Sequence, residues 1–310
     1  MKQLDDKDRH WLQRVAAGIS FEEPMERHTS LKVGGPADAL VKVATIEALA
    51  GVIRYCREKS LPVRVIGAGT NLLVKDAGVR GVVIKLSGSL ARVSVSDTTL
   101  SAGAGTRLAA LCRTALAHGL AGMGFALGIP GSVGGAVVMN AGIPAASMAS
   151  VLSSVILLDD REQPVEVPRK DLRFAYRRTD FGRRMQDGNI PPVIVAATVT
   201  LRRGRREDLR REAIDRLRRR KAIQPITAAS AGSFFKNPAG ELSAGELIDR
   251  AGLKGTSIGG ARISARHANF IINSGTATAT DITRLMALVQ RRVAEKFSIA
   301  LEPEVQIIGD

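Results

Sequence analysis

The chain has few cysteines and few aromatic residues. Among its 310 residues there are two cysteines, and aromatic side chains make up 4%. Cys56 and Cys112 stand in apolar, helix-like stretches without a CxxC neighbour, which excludes a disulfide framework. We expect both to be reduced thiols in a core. The four histidines are far apart in the sequence, so no metal site is expected.

No signal peptide is visible in the sequence, and no membrane span is expected. The stretch from Met1 to His10 is charged and has no apolar core, so we expect a cytoplasmic protein. Residues Thr114 to Leu158 include no Asp, Glu, Lys or Arg. This uncharged stretch is long enough to span a bilayer. Glycines and prolines interrupt this stretch, and the backbone groups they free would be unsatisfied in lipid. We therefore predict no membrane insertion, and burial around a large ligand instead.

Positive charge is in excess and concentrated in one segment. The net charge is +15, and the stretch from Arg202 to Lys221 holds eleven Lys or Arg against four Asp or Glu. Its pattern is helical, with acidic residues four positions before basic ones. No aromatic residue interrupts it to stack on bases, so no nucleic-acid partner is expected. A solvated helical face is the favoured interpretation, and attraction of an anionic small substrate is the alternative.

The order of the predicted elements indicates an α+β protein. The predicted helices are Asp5–Ala17, Ile46–Lys59, Leu108–His118, Arg202–Lys221, Ala244–Ala251 and Ala279–Phe297. The predicted strands are Ala39–Val43, Pro62–Ile66, Gly81–Leu86, Arg92–Ser96, Thr99–Ala102, Ser153–Asp159, Val165–Pro168, Pro192–Leu201, His267–Asn273 and Pro303–Ile307.

Two glycine-rich stretches carry the first chemical signal. The first glycine segment, Gly67 to Leu72, follows a predicted strand, and the second glycine segment runs from Gly128 to Gly142. Glycines let backbone N–H groups approach a diphosphate because no Cβ stands in the way. The first segment matches neither GxGxxG nor a Walker loop, so a structural turn explains it equally well. Together the segments indicate a large, flat, phosphate-bearing cofactor.

Eight motifs in order resemble those of UDP-N-acetylenolpyruvoylglucosamine reductases. The resemblance runs from about residue 28 to the C-terminus. The matching stretches are His28–Ala37, Val65–Val74, Gly128–Gly142, Tyr176–Thr179, Ala231–Pro238, Ala251–Gly255, His267–Phe270 and Leu301–Val305.

The resemblance implies a two-lobed FAD-binding domain of the vanillyl-alcohol-oxidase (PCMH) type and a smaller C-terminal α+β domain that binds substrate. The implied boundaries are 1–27 for an N-terminal helix and lead-in, 28–203 for the FAD domain with its lobes divided near 85–90, and 204–310 for the substrate domain. The implied FAD contacts are Gly67, Ala68, Gly69, Thr70, Asn71, Leu72, Gly131, Ser132, Gly134, Gly135 and Asn140.

The implied reaction uses NADPH to reduce FAD, and then the enolpyruvyl ether of UDP-N-acetylglucosamine to reoxidise it. By resemblance, Arg177 binds and polarises the substrate carboxylate. Ser233 protonates the carbanion, and a protonated Glu304 stabilises the developing charge. The implied substrate-binding residues are Tyr176, Lys236, Asn237 and Lys254. A monomer is expected.

The chain departs from the family pattern at several positions. Ile143 to Ala146 replaces an aromatic-Gly pair, Leu31 stands where Phe is common, and Thr179 replaces Ser. The interval from Arg177 to Ser233 is short and indicates the compact subclass of the family.

Two rival interpretations remain for experiment to separate. One is an oxidase of the same FAD-domain superfamily, although no His lies in either glycine segment for flavin attachment. The other is a nucleic-acid-binding protein that uses the Arg202–Lys221 stretch, which would be colourless when purified and bind DNA with a steep salt dependence.

Overall fold

The structure is a computed structural model that describes residues 4–16, 18–181 and 193–310. Helices and strands are mixed along this part of the chain, as the α+β prediction requires. The helices are α1 (Asp6–Val15), α2 (Ile46–Glu58), α3 (Leu108–Ala117), α4 (Val133–Val138), α5 (Arg206–Ile223), α6 (Ala244–Arg250) and α7 (Ala279–Phe297). The strands are β1 (Gly18–Pro24), β2 (Pro36–Val43), β3 (Val63–Ile66), β4 (Leu72–Val74), β5 (Val79–Leu86), β6 (Val93–Ser96), β7 (Thr99–Gly103), β8 (Leu120–Ala121), β9 (Gly142–Ile143), β10 (Ala146–Ser147), β11 (Leu152–Leu158), β12 (Pro164–Pro168), β13 (Arg173–Ala175), β14 (Arg178–Asp180), β15 (Val193–Thr200), β16 (Arg202–Arg203), β17 (Ala229–Ser230), β18 (Ser257–Ile258), β19 (Ala261–Ile263), β20 (Ile271–Asn273) and β21 (Gln306–Ile308).

The chain forms two compact units, each made of segments that are separate in the sequence. The first unit consists of Met1–Phe21, Asp38–Ala68 and Arg80–Arg218. The second unit consists of Glu22–Ala37, Gly69–Val79 and Arg219–Asp310. The segments Glu22–Ala37 and Gly69–Val79 belong with the C-terminal segment because Leu31, Val33 and Leu73 are part of its hydrophobic core. The contiguous domains expected at 1–27, 28–203 and 204–310 stay a prediction.

The first sheet of the first unit has the order β1-β2-β5-β3, with β3 and β5 parallel. Thr45 caps helix α2, because its side chain accepts a hydrogen bond from the Ala48 amide at 3.2 Å. Its periodic apolar residues, including Leu49, Val52 and Cys56, are buried in the core of this sheet. Amphipathic spacing therefore places α2 as the sequence predicts.

The second sheet of the first unit is antiparallel, with the order β12-β11-β15-β7-β6. Helices α3 and α4 contribute to its core through residues such as Leu111 and Val137. The change from one sheet to the other falls between Leu86 and Val93. Much of the uncharged stretch from Thr114 to Leu158 is buried in this core. In the described part of the chain, no helix is long and apolar enough to cross a membrane.

The second unit has a sheet of order β17-β20-β19-β18 with α6 and α7 in its core. Helix α7 has the predicted bounds, because Thr278 and Asp281 form a capping box and Ile282, Leu285 and Val289 follow on one buried face. Strand β21 pairs in parallel with β4, which joins the C-terminal segment to the end of the first glycine segment within this unit.

The structure corrects three predicted elements. The last strand, predicted from Pro303 to Ile307, is Gln306–Ile308. Arg202 and Arg203 form strand β16, which pairs with β8, and the basic helix begins only at Arg206. The strand predicted from His267 is shorter and begins at Ile271, because His267 accepts a turn hydrogen bond from the Phe270 amide at 3.0 Å.

The two cysteines are free and buried, as expected. Burial raises the pKa of Cys56 to about 12 and that of Cys112 to about 11, so neither thiol ionises readily.

Candidate active site

The two glycine segments meet at Gly67 and Ser132, both in the first unit. Strand β3 ends at Ile66, and a Cβ atom on Gly67 would lie 2.2 Å from the Ser132 Oγ. Any larger residue at position 67 would displace the Ser132 hydroxyl. The close approach brings together two stretches that the sequence assigns to FAD.

Part of the second glycine segment is a short helix, α4, which was not among the predicted helices. Ser132 caps α4 by accepting a hydrogen bond from the Gly135 amide at 3.2 Å. The amides of Val133 and Gly134 donate to the carbonyls of Thr106 and Ala104, each at 2.8 Å. The amides of Val133 and Gly134 therefore bond within the protein and are not available to a diphosphate.

The glycines of this segment have different surroundings. Gly134 is buried, and a Cβ atom there would lie 2.9 Å from the Ala104 Cβ. Gly135 is exposed, and Gly131 is partly exposed with a φ of 134° that side chains rarely adopt. Gly131 and Gly135 thus present bare backbone at the surface of the first unit. Such bare backbone fits a ring system or a pyrophosphate, which is what FAD would place there.

The later part of the first glycine segment lies in the second unit. Gly69 has a φ of 67°, and a Cβ atom on it would lie 1.9 Å from the His28 carbonyl oxygen. The Ser30 amide donates to the Gly69 carbonyl at 3.1 Å. Thr70 is partly exposed, and Leu72 begins β4. The motif that begins at His28 therefore supports the backbone of the first glycine segment.

Ser233 and Glu304 are on neighbouring backbone segments of the second unit. The Glu304 amide donates to the Phe234 carbonyl at 2.8 Å. The side-chain amide of Asn71 donates to the Glu304 carbonyl at 3.0 Å. Ser233 precedes Phe234, which is fully buried. Two of the three predicted catalytic residues are thus held close together by backbone pairing.

The Ser233 side chain is partly exposed. Gly232 before it has a φ of 81°, and a Cβ atom on Gly232 would meet nothing within 4 Å. The Ser233 hydroxyl has no hydrogen-bond partner among the described residues. A hydroxyl in this situation can turn toward a ligand.

Asn269 holds the turn that carries Ser233, a role that the sequence did not reveal. Its side chain accepts from the Phe235 amide at 2.9 Å and donates to the Phe235 carbonyl at 2.8 Å. Its own carbonyl accepts from the Phe234 amide at 2.9 Å. The available signal was its place in the His267–Phe270 motif.

Arg177 lies in the two-residue turn between β13 and β14 in the first unit. Its φ is 56°, and its Nη1 donates to the Gly142 carbonyl at 3.1 Å. Its guanidinium lies over the exposed Tyr176 ring, 4.9 Å from the ring centroid. Arg177 is therefore bound to the end of the second glycine segment.

The predicted substrate-binding cations each contact an acid. Lys236 Nζ is 3.1 Å from Glu302 Oε2, and Lys254 Nζ is 2.5 Å from Asp249 Oδ2. Asn237 accepts from the Ala244 amide at 3.1 Å, at the start of α6. Burial, together with the nearby Lys254, lowers the pKa of His267. In the structure each of these two lysines is therefore paired with a carboxylate. Among the described residues, no cluster of His, Cys, Asp or Glu could hold a metal ion.

Comparison with known proteins agrees with this arrangement. Residues 37–165 match the model of an FAD binding domain, and residues 224–308 match the C-terminal domain of UDP-N-acetylenolpyruvoylglucosamine reductase. The UDP-N-acetylenolpyruvoylglucosamine reductase of Desulfosudis oleivorans is 47% identical over 314 residues, which cover 99% of this chain and 100% of that protein. That of Heliobacterium modesticaldum is 45% identical and covers 93% of this chain and 90% of its own length.

A solved structure supports the same assignment. The crystal structure of UDP-N-acetylenolpyruvylglucosamine reductase from Thermus caldophilus matches with a TM-score of 0.78 at 37% identity, covering 94% of this chain and 98% of that chain. The predicted fold, a PCMH-type FAD-binding domain with a C-terminal α+β domain, is confirmed. The chain therefore belongs to the UDP-N-acetylenolpyruvoylglucosamine reductase family and is a flavin-dependent oxidoreductase that uses FAD.

Proposed function

We propose that this chain reduces the enolpyruvyl ether of UDP-N-acetylglucosamine to UDP-N-acetylmuramate for peptidoglycan synthesis, with NADPH as the hydride donor. The observation that carries the proposal is the pairing of the Ser233 segment with the Glu304 segment, in a chain whose residues 37–165 match an FAD binding domain. The pairing supports a role for both side chains on one substrate.

The reaction adds a hydride to the terminal enolpyruvyl carbon and a proton to the neighbouring carbon. Bound FAD would supply the hydride transfer, from NADPH to the terminal carbon. Negative charge would then develop on the neighbouring carbon and spread into the substrate carboxylate. The protein must therefore provide a cation beside that carboxylate and a proton for the carbanion.

Three residues have the chemistry for these tasks. The Arg177 guanidinium can hold the carboxylate with two parallel hydrogen bonds. The Ser233 hydroxyl donates the proton, which requires a carbanion-like, water-excluded transition state because serine is a weak acid. Glu304 acts in its protonated form, so that it stabilises the developing charge and does not repel it.

The remaining assignments concern binding and location. Lys236 and Lys254 bind diphosphate or NADPH phosphates, which would take the place of the carboxylates of Glu302 and Asp249. Asn237 and Tyr176 are assigned to substrate binding from the motifs in which they stand. The enzyme works as a cytoplasmic monomer.

Stopped-flow absorbance of the flavin tests the proton donor. Ser233→Ala should leave reduction of FAD by NADPH intact, and reoxidation by the enolpyruvyl sugar should slow about 10²- to 10⁴-fold, the usual contribution of a general acid. Ser257→Ala is the matched control, because Ser257 is an exposed serine of the same unit. Normal reoxidation in Ser233→Ala would remove Ser233 from the mechanism. A colourless wild-type protein that binds DNA with a steep salt dependence would overturn the function itself.

A further inference from the structure

The turn that carries Arg177 is held in an unfavourable backbone conformation. Arg177 has a φ of 56°, in the left-handed region that side chains rarely adopt. Such a conformation persists only when the surrounding structure imposes it. The strands on either side, β13 and β14, have three residues each and form a sheet of their own in the described part of the chain. An isolated hairpin of this size is not stable by itself.

Two side-chain hydrogen bonds anchor this hairpin to the end of the second glycine segment. The Thr179 hydroxyl donates to the Val137 carbonyl at 2.6 Å, and Thr179 is 7% exposed. The Asn140 side-chain amide donates to the Ala175 carbonyl at 3.1 Å. Thr179 and Ala175 are on the two strands of the hairpin, so the bonds hold it from both sides of the Arg177 turn.

Both polar atoms of the Asn140 side-chain amide form hydrogen bonds within the protein. Its side-chain oxygen accepts from the Ala149 amide at 3.0 Å while its nitrogen donates to Ala175. Asn140 itself has a φ of 39° and is 8% exposed. Asparagine tolerates the left-handed region better than most residues. These contacts explain why an asparagine suits position 140: it stabilises the hairpin that carries Arg177.

We propose that Thr179 and Asn140 are positioning residues that fix the Arg177 guanidinium for the substrate carboxylate. Together with the bond from Arg177 to the Gly142 carbonyl, they attach the hairpin to helix α4 and the residues after it. The inference rests on the proposed role of Arg177. It predicts that loss of either anchor affects the step that needs Arg177 more strongly than the earlier step.

Thr179→Val and Thr179→Ser form a matched pair for the test. Valine keeps the shape of the side chain but leaves the Val137 carbonyl without its donor, whereas serine keeps the hydroxyl. In stopped-flow experiments on the FAD-loaded enzyme, Thr179→Val should slow reoxidation by the enolpyruvyl sugar about 10- to 100-fold, because small misplacements of a reacting group have effects of this size. Reduction by NADPH should change less than about twofold, and Thr179→Ser should restore reoxidation.

A double-variant cycle separates positioning from a general structural effect. If Thr179 acts through Arg177, the double variant Arg177→Lys/Thr179→Val should reoxidise no more slowly than Arg177→Lys alone. Effects that multiply would contradict the proposal. Equal slowing of both half-reactions in Thr179→Val, with loss of flavin, would also contradict it, because that is the signature of a disturbed fold.

Asn140→Asp provides an independent variant if Thr179→Val does not fold. Aspartate tolerates the left-handed conformation and keeps an acceptor for the Ala149 amide, but it sets an oxygen against the Ala175 carbonyl. It should slow reoxidation more than it slows reduction. If Arg177→Lys is reoxidised slowly while the folded Thr179 and Asn140 variants are reoxidised at the normal rate, this inference is wrong and the proposed role of Arg177 stands. A normal rate in Arg177→Lys would overturn the proposed role of Arg177 itself.

Discussion

Gly67→Ala should strain the contact between the two glycine segments. The new Cβ would lie 2.2 Å from the Ser132 Oγ and 3.2 Å from the Ser132 Cβ. Gly67 does not have a left-handed φ, so alanine meets no backbone penalty and Ser132 is the obstacle. Overpacking of this kind lowers the free energy of unfolding by about 1–3 kcal/mol.

Removal of the Ser132 hydroxyl should relieve that strain. Ser132→Ala alone costs about 1 kcal/mol, because the Gly135 amide loses its cap. In the double variant the closest remaining contact of the new Cβ is the 3.2 Å approach to position 132. The double variant should therefore be more stable than the sum of the single effects predicts, by about 1–3 kcal/mol.

Urea unfolding of the FAD-free protein, followed by circular dichroism, measures these free energies. The flavin absorbance of each purified variant reports how much FAD is retained, which Gly67→Ala should reduce. Gly51→Ala is the control, since a Cβ atom there meets nothing within 4 Å and the residue lies inside α2. It should stabilise by about 0.5–1 kcal/mol. Strictly additive effects at Gly67 and Ser132 would refute the reasoning.

Two further variants test the second unit. Thr278→Ala should lower the free energy of unfolding by about 1 kcal/mol in urea, because the Asp281 amide loses its cap at the start of α7, and an unchanged value would contradict the capping role. Burial, with Lys254 nearby, lowers the pKa of His267, so the unfolded state binds more protons and stability falls as pH drops through the ordinary histidine pKa of about 6.5. His267→Gln should make the free energy of unfolding fall less between about pH 7.5 and about pH 5.5, and an equal fall in wild type and variant would exclude this contribution.

Elements with a strong apolar period could be predicted from the sequence. Helices α2 and α7 have the expected bounds to within a residue, because each combines an N-cap side chain with one continuous buried face. Helix α4 could not be predicted, since glycine disfavours helices. Its first turn is stabilised by the Thr106 and Ala104 carbonyls, which are distant in the sequence. Tertiary partners of this kind leave no local pattern.

The resemblance named the site residues, but it could not separate residues that contact ligand from residues that position others. Asn71 and Asn140 were both assigned to FAD by their motifs. The side chain of Asn71 holds the carbonyl of Glu304, which is 233 positions away, and that of Asn140 holds the carbonyl of Ala175, which is 35 positions away. Each supports the backbone beside a predicted catalytic residue. A residue can therefore belong to a cofactor motif because it orients a catalytic segment and not because it contacts the cofactor. The hydrogen-bond partners seen in the structure show which segment it orients.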